Sequence, residues 1–360
     1  MTKKIAIVGA GIAGLHCALY LKDYAEIEIF EEAKRTKAAR PLQMEGSINQ
    51  FKFTPDLKPS FPLSHNTLIS PHYKTELHGK LGYLYKIGGK EGIDAEIRRK
   101  IEKEIKIHYS HKITSLEELQ DFDVIIAADG WKSSIALLAG MRERYPYKQG
   151  IGIGSTVKGD FTIGKITTIL NNYYAPNGYT YLIPFDEEKA TLAAAIGRHT
   201  NAGDNKDAGK SDVKNYVLNI FRERLRNLSK EYGLTILNEW MDYEMWYHFR
   251  SYQKDNIYIV GGAASFTDEA LGYGLKYAIW SAKLCAQSII QGKDYNLLLK
   301  PLLKELYFWR KFSPYFCYTE KQQDIIVRLQ GIPPVKNMIE KGLSIKSLIY
   351  FLPIIKLLFK

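Results

Sequence analysis

Cysteine is scarce in this 360-residue chain: Cys17, Cys285 and Cys317 stand far apart, with no C-x-x-C spacing. That excludes a disulfide framework and a cysteine-based metal centre, and it fits a reducing compartment. His65, His72, His78, His108 and His111 are scattered through the first third and form no H-E-x-x-H or similar ligand motif, so no metal site is expected. A G-x-S-x-G nucleophile elbow is absent. So are internal repeats and low-complexity segments. The chain opens directly on a strand-like run, which leaves no room for a signal peptide and predicts a cytoplasmic protein.

Charge is unevenly spread. The chain carries +11, and residues 300–360 hold eleven Lys and Arg against four Asp and Glu. The uncharged stretch Ser347 to Ile355 is interrupted by Pro353. It falls short of the roughly 20 residues needed to span a bilayer. A basic, apolar tail suits the inner membrane interface, and equally a C-terminal helix docked on the protein's own core. Its lysines sit among bulky aliphatics rather than in a phosphate-tracking stripe, so no nucleic-acid partner is expected.

The first thirty-odd residues are the most informative. The apolar run Ile5-Ala6-Ile7-Val8 leads into Gly9-Ala10-Gly11-Ile12-Ala13-Gly14. A helical pattern follows, then the run Ile27 to Phe30 and the acids Glu31 and Glu32. This is the strand, glycine turn, helix, strand, acid order of a dinucleotide-binding unit. Gly9 permits the tight turn, Gly11 leaves room for a diphosphate, and Gly14 lets helix and strand pack closely. The helix N-terminus offers free amides to phosphate, and Glu31 stands where a carboxylate accepts from a ribose hydroxyl.

Further along, Arg40 to Ser70 is rich in polar residues and proline and reads as loops. Ile93, Ile97, Ile101 and Ile105 mark one face of a helix, and Ile105 to Tyr109 and Phe122 to Ala128 read as strands. From Ile151 to Gly197 the pattern becomes β-rich, with strands at 165–170, 179–184 and 190–196. Asn201 to Gly209 reads as a loop and Ser211 to Tyr232 as a helix. Ile257 to Val260 returns to a buried strand, and Gly261-Gly262 opens another helix. The resulting expectation is an α/β (α+β) protein. Residues 1–150 and 251–295 form a Rossmann-type cofactor domain, 151–250 an inserted antiparallel substrate domain, and 296–360 a basic helical region.

Three stretches sit where ligands bind in such folds. Ala128-Asp129-Gly130 ends a strand at the carboxyl edge of the sheet, as a flavin contact or a plain β-turn. Gly261-Gly262-Ala263 offers backbone amides at a strand end, or merely close packing. Tyr179 and Tyr181 share one face of a strand, lining a substrate channel or an ordinary core. With Arg40-Pro-Leu-Gln-Met-Glu-Gly46, Gly178-Tyr-Thr-Tyr-Leu-Ile-Pro184 and Gly272-Tyr273-Gly274, these stretches make residues 3–290 resemble the FAD-dependent geranylgeranyl reductases. That family belongs to the group with the p-hydroxybenzoate hydroxylase fold.

The resemblance implies FAD held at Gly9, Gly11, Ile12, Ala13, Gly14, Glu31, Glu32, Arg40, Ala128, Asp129, Gly130, Gly261, Gly262, Ala263, Gly272 and Gly274. It implies an isoprenoid chain beside Tyr179, Tyr181 and Tyr273, reduced at its C=C bonds by hydride from the flavin. Two positions depart from the family pattern. Gly262 stands where the family has an Asp that contacts FAD, and Met44 where it commonly has Cys near the flavin. No catalytic residue is identified. Gly150-Ile-Gly-Ile-Gly154 has the wrong spacing for a second dinucleotide fingerprint, so NAD(P)H would bind transiently or a ferredoxin would deliver electrons. A flavin monooxygenase of the same fold and a non-catalytic flavin- or lipid-binding member remain as alternatives, and the oligomeric state is open.

Overall fold

The computed structural model describes residues 2–34, 43–47, 58–199, 211–313 and 319–340, without the side chains of 43–47, 197–199, 211–218, 312 and 338. Arg40, the loop at 201–209 and the tail from 341 onward lie outside the described residues, as does the side chain of Met44. The strands are β1 (Lys3–Val8), β2 (Ala25–Glu31), β3 (Gln43–Ser47), β4 (Phe61–Ile69), β5 (Lys74–Ile87), β6 (Lys106–Tyr109), β7 (Val124–Ala127), β8 (Lys148–Lys158), β9 (Lys165–Ile169), β10 (Tyr179–Pro184), β11 (Lys189–His199), β12 (Thr235–Trp246), β13 (Gln253–Lys254) and β14 (Ile257–Ile259). The helices are α1 (Ile12–Leu21), α2 (Ile93–Ile101), α3 (Ser134–Leu138), α4 (Ser211–Glu231), α5 (Leu275–Gln291), α6 (Tyr295–Leu298), α7 (Lys300–Phe312), α8 (Glu320–Gly331) and α9 (Pro333–Glu340).

Two sheets organise these elements. The smaller has the order β13-β14-β7-β1-β2-β6 and is parallel apart from β13. Its central strands are buried on both faces, so their apolar residues run consecutively rather than alternating. Ile5, Ile7, Ile29, Ile126 and Ile259 are fully buried there. Helices α1 and α5 pack together, and Cys17 and Cys285 fill their contact as buried thiols. The chain leaves this sheet twice and returns, for β6 and β7 and then for β14.

The larger sheet has the order β12-β8-β11-β10-β9-β4-β5-β3, antiparallel except where β4 runs beside β9. Leu225 and Leu228 of α4 join Ile153, Val157 and Leu192 in a core on part of it. Val327 of α8 packs with Leu77, Leu81 and Leu84 at its other end. The strands expected at 165–170, 179–184 and 190–196 are β9, β10 and part of β11.

Several expectations are corrected. Residues 43–47 and 61–69, read as loops, are strands, and β5 was not anticipated. Pro62, Ser64, His65 and Asn66 break the apolar alternation of β4, but its backbone is held by neighbours on both sides. Cross-strand pairing rather than local propensity decides such a strand. The large sheet therefore draws on residues 43–87 as well as 148–246, so the stretch 1–150 does not belong to the small sheet alone. Gly261-Gly262 opens a single 3-10 turn, Gly261–Ala264, and α5 begins only at Leu275. Among the described residues no helix is long and apolar enough to cross a membrane.

Candidate functional site

The glycine turn after β1 is built by contact. A Cβ on Gly9 would lie 2.4 Å from the carbonyl oxygen of Ala128, and one on Gly14 would lie 2.0 Å from that of Gly9. Neither position admits a side chain without backbone movement. Gly11 is different: a Cβ there would meet nothing within 4 Å. It is the N-cap of α1, no side chain caps that helix, and its first turn holds no acid. The free amides and the positive end of the helix dipole consequently face open space.

Glu31 reaches back over the turn. Its carboxylate accepts from the Ala10 amide at 2.7 Å and the Ala33 amide at 2.9 Å. Glu32 is exposed, 3.5 Å from Lys112. Arg98, buried on α2, donates to the carbonyl of Ala10 at 3.0 Å. Sequence reading missed Arg98. Its signal was a cation on the buried face of an otherwise charged, amphipathic helix, beside Ile97 and Ile101.

One cavity of about 340 Å³ connects the expected stretches. Gly11, Ile12, Ala13, Ala128, Gly130, Gly262, Gly272, Tyr273, Gly274, Tyr179 and Tyr181 all line it, with Arg98 and Trp131. Gly9, Gly14, Glu31, Glu32, Asp129, Gly261 and Ala263 do not line it.

The reasons are local. Asp129 turns inward, and its Oδ2 accepts from the Ser134 amide at 2.7 Å, the Ser134 hydroxyl at 3.2 Å and the Ile135 amide at 3.3 Å. It thereby braces the first turn of α3, whose N-cap is Ser133, and burial pushes its carboxyl pKa up. Gly130 alone of that pair meets the cavity. Gly261 brings the 3-10 turn against α1, where a Cβ would lie 2.6 Å from that of Ala13. This is the close-packing role weighed for it, while Gly262 faces Gly130 and Trp131.

At the far end, Asp268 shapes the turn before α5. Its fully buried carboxylate accepts from the amides of Ala270, Leu271 and Tyr273 at 3.1, 2.6 and 3.1 Å. Burial raises its pKa to about 6. Asp268 escaped sequence reading, though an Asp just ahead of Gly272-Tyr273-Gly274 is the usual side chain for folding such a turn onto itself. Gly274 is the N-cap of α5 and, like Gly11, carries no side-chain cap. The turn and the start of α5 line the same cavity as α1.

The large sheet supplies the opposite wall. Tyr179 donates to the carbonyl of Leu271 at 2.6 Å, and burial holds its phenol well above the ordinary range. Its ring lies 5.8 Å from that of Tyr181. Gly150, Gly152 and Gly154 alternate along β8, and the indoles of Trp246 and Trp240 lie against them where side chains would stand. That accounts for the glycine spacing of this strand. Lys148 closes one end, bonded to the Glu269 carbonyl at 2.6 Å and to the Ser313 hydroxyl at 2.8 Å. Burial lowers its pKa, with Glu269 opposing.

No family model matches the chain. A digeranylgeranylglycerophospholipid reductase of Methanosphaerula palustris is 28% identical over 170 residues, which are 47% of this chain and 40% of that relative. The match thus spans less than half of the relative's length. Among solved structures, a geranylgeranyl bacteriochlorophyll reductase-like protein from Thermoplasma acidophilum superposes with a TM-score of 0.64 at 15% identity, covering 95% of this chain and 92% of the other. The chain has the fold of the FAD-dependent oxidoreductases. Tetracycline destructase Tet(55) shares this fold, with a TM-score of 0.63 at 18% identity over 95% of this chain and 98% of the other. The resemblance to geranylgeranyl reductases holds in both the curated relative and the Thermoplasma structure.

The residues present fit an FAD of the kind this flavoprotein fold carries. The open space at Gly11 is where a Cβ would intrude on a diphosphate, and uncapped amides face it. The cavity then runs past Gly130 and Gly262 to a second uncapped helix start.

Proposed function

We propose that this protein is an FAD-dependent enzyme that reduces C=C bonds of an isoprenoid lipid. One observation carries the reading: two uncapped helix N-termini, at Gly11 and Gly274, open into a single cavity. FAD, when bound, would supply the hydride chemistry. The amides of Gly11 to Ala13 and the guanidinium of Arg98 would hold its diphosphate. The turn from Gly272 to Leu275 would offer amides to the polar edge of its ring. Tyr179, Tyr181, Tyr273 and Trp240 would exclude water and line the channel of an apolar chain. The small sheet would carry cofactor and the large sheet substrate. The relative's printed name, a reductase of a digeranylgeranyl phospholipid, favours an isoprenoid. With no second dinucleotide fingerprint, NAD(P)H would visit briefly or a ferredoxin would deliver electrons. The basic tail would bring the enzyme to a membrane holding such lipids. Removal of residues 343–360 should then lower liposome sedimentation, and unchanged sedimentation rejects that role.

A second reading is favoured by the aromatic wall of Trp131, Trp240, Trp246 and Tyr243, which suits a planar substrate and therefore a monooxygenase. Anaerobic turnover separates the two, since hydroxylation consumes O₂ and alkene reduction does not. The absorption spectrum tests both. A yellow protein that bleaches with dithionite and re-oxidises supports an enzyme. A colourless one that takes up no added FAD refutes it and leaves a lipid-binding member, a reading that the missing carboxylate at Gly262 motivates.

A further inference from the structure

We propose that His65, Glu76 and His78 form a surface site for a borderline divalent metal ion, represented by Zn²⁺. The proposal stands apart from the flavin reading, and it revises the expectation of no metal site. In the hairpin of β4 and β5, His65 lies directly opposite His78, and Thr67 opposite Glu76. Residues two apart on a strand share a face, so the pairing gathers all four side chains on one side of the sheet. One ligand atom from each of the two histidines and the glutamate lies within 4.8 Å of the others. The imidazole rings are 4.1 Å apart and nearly perpendicular at 83°.

The details suit ligation. His78 Nε2 is 3.8 Å from Glu76 Oε2. The other carboxylate oxygen, Oε1, lies 2.9 Å from Lys74 Nζ. Lys74 therefore orients the carboxylate without occupying the oxygen that faces the histidines. An exposed pair of this kind is worth about 0–1 kcal/mol, so it competes weakly with a metal. The Thr67 hydroxyl lies 3.2 Å from His65 Nε2 and steadies that ring. Lys165 on β9 stands beside His65 and opposes cation entry.

Two imidazoles and one carboxylate are a Zn²⁺ donor set, whereas Mg²⁺ prefers oxygen alone. Bonds of about 2.0 Å would require the ligand atoms to close by roughly 1–1.5 Å, within reach of side-chain rotation on a half-exposed face. The remaining position would hold water. The His78 amide also donates to Glu340 Oε1 of α9 at 2.8 Å. A bound ion would thus stiffen the hairpin where the last described helix docks. No linear motif signals the site, because twelve residues separate the histidines and only the hairpin register joins them.

The test is Zn²⁺ titration of untagged full-length protein by calorimetry at pH 7.5, where imidazole is mostly neutral. One Zn²⁺ per chain is expected. His65→Ala and His78→Ala should each weaken binding at least about ten-fold, and Glu76→Gln by a few-fold, since each removes one of three ligands. His111→Ala, a control at an exposed histidine outside the hairpin, should leave affinity unchanged, as should excess Mg²⁺. Melting curves without metal check folding, and should one alanine variant fail to fold, the other carries the test. Absence of Zn²⁺ uptake by the wild type, or wild-type affinity in the His65→Ala/His78→Ala double variant, overturns the proposal.

Discussion

Replacing Gly11 by valine puts a branched side chain into the space that the uncapped end of α1 faces, and its consequences can be worked from contacts. Gly11 has φ −78°, a value any residue adopts. Its would-be Cβ meets no atom within 4 Å. The apo fold therefore loses only the N-cap preference of glycine over an aliphatic residue, about 1 kcal/mol at most. Spread over a chain of this length, that shifts the melting temperature by roughly 1–2 °C. The cost to a diphosphate is larger. Two amide bonds to a charged phosphate contribute about 1.5–3 kcal/mol each, so their loss weakens FAD binding by on the order of 100-fold or more. Gly14→Ala supplies the contrast. Its Cβ would stand 2.0 Å from the Gly9 carbonyl oxygen, so the backbone must shift and stability falls together with binding. FAD fluorescence quenching and thermal melts, run on both variants, separate the effects. Gly11→Val protein that melts like the wild type and binds FAD within three-fold of it would refute the cradle.

Other expectations follow from the buried charges. Arg98→Met keeps the aliphatic stem but removes a charge-assisted donor beside Ala10; FAD affinity should fall about ten-fold or more, measured by the same quenching titration. Asp129→Ala removes the acceptor from the first turn of α3 and should lower stability by about 1–2 kcal/mol in urea melts. His16, buried on α1, has its pKa lowered by burial to about 4 from 6.5. The unfolded chain takes up that proton first, so its share of stability is complete above pH 6.5 and lost as pH falls toward 4, on the order of 3 kcal/mol. Asp268 acts in the opposite sense: its raised pKa, about 6, lets the folded protein hold a proton that the unfolded chain releases near 3.8, so stability falls as pH rises between those values. A His16→Leu variant should therefore gain less stability than the wild type as pH rises from 4 to 6. A variant whose melting temperature climbs as steeply as that of the wild type across that interval would refute the assignment.

The amino-terminal unit was legible because each signal in it is local: buried β1, the glycine turn and the acid at the end of β2 lie within thirty-one residues. The strands at 165–170 and 179–184 were likewise readable from alternation. Strands β4 and β5 were not, because polar residues such as His65 and Asn66 belong in a strand only once neighbours on either side take up their backbone groups. The candidate site divides in the same way. Gly11, Gly130 and Gly262 were expected from their positions at element ends, and the Gly272–Gly274 turn from the family resemblance. Arg98 and the tryptophans lying on β8 were not, since each acts on a partner distant in the chain; Asp268 was missed although its partners are the local amides of Ala270, Leu271 and Tyr273.

What the sequence by itself determined is an open glycine turn at a helix start, because glycine's missing side chain and a short parallel unit are properties of neighbouring residues. What only the tertiary structure decided is which residues share the cavity and which merely brace it. Asp129 and Gly261 look like ligands in one dimension, yet Asp129 spends its Oδ2 on α3 and Gly261 gives its space to α1. Direction and burial are set by packing across the chain, and no local pattern encodes them.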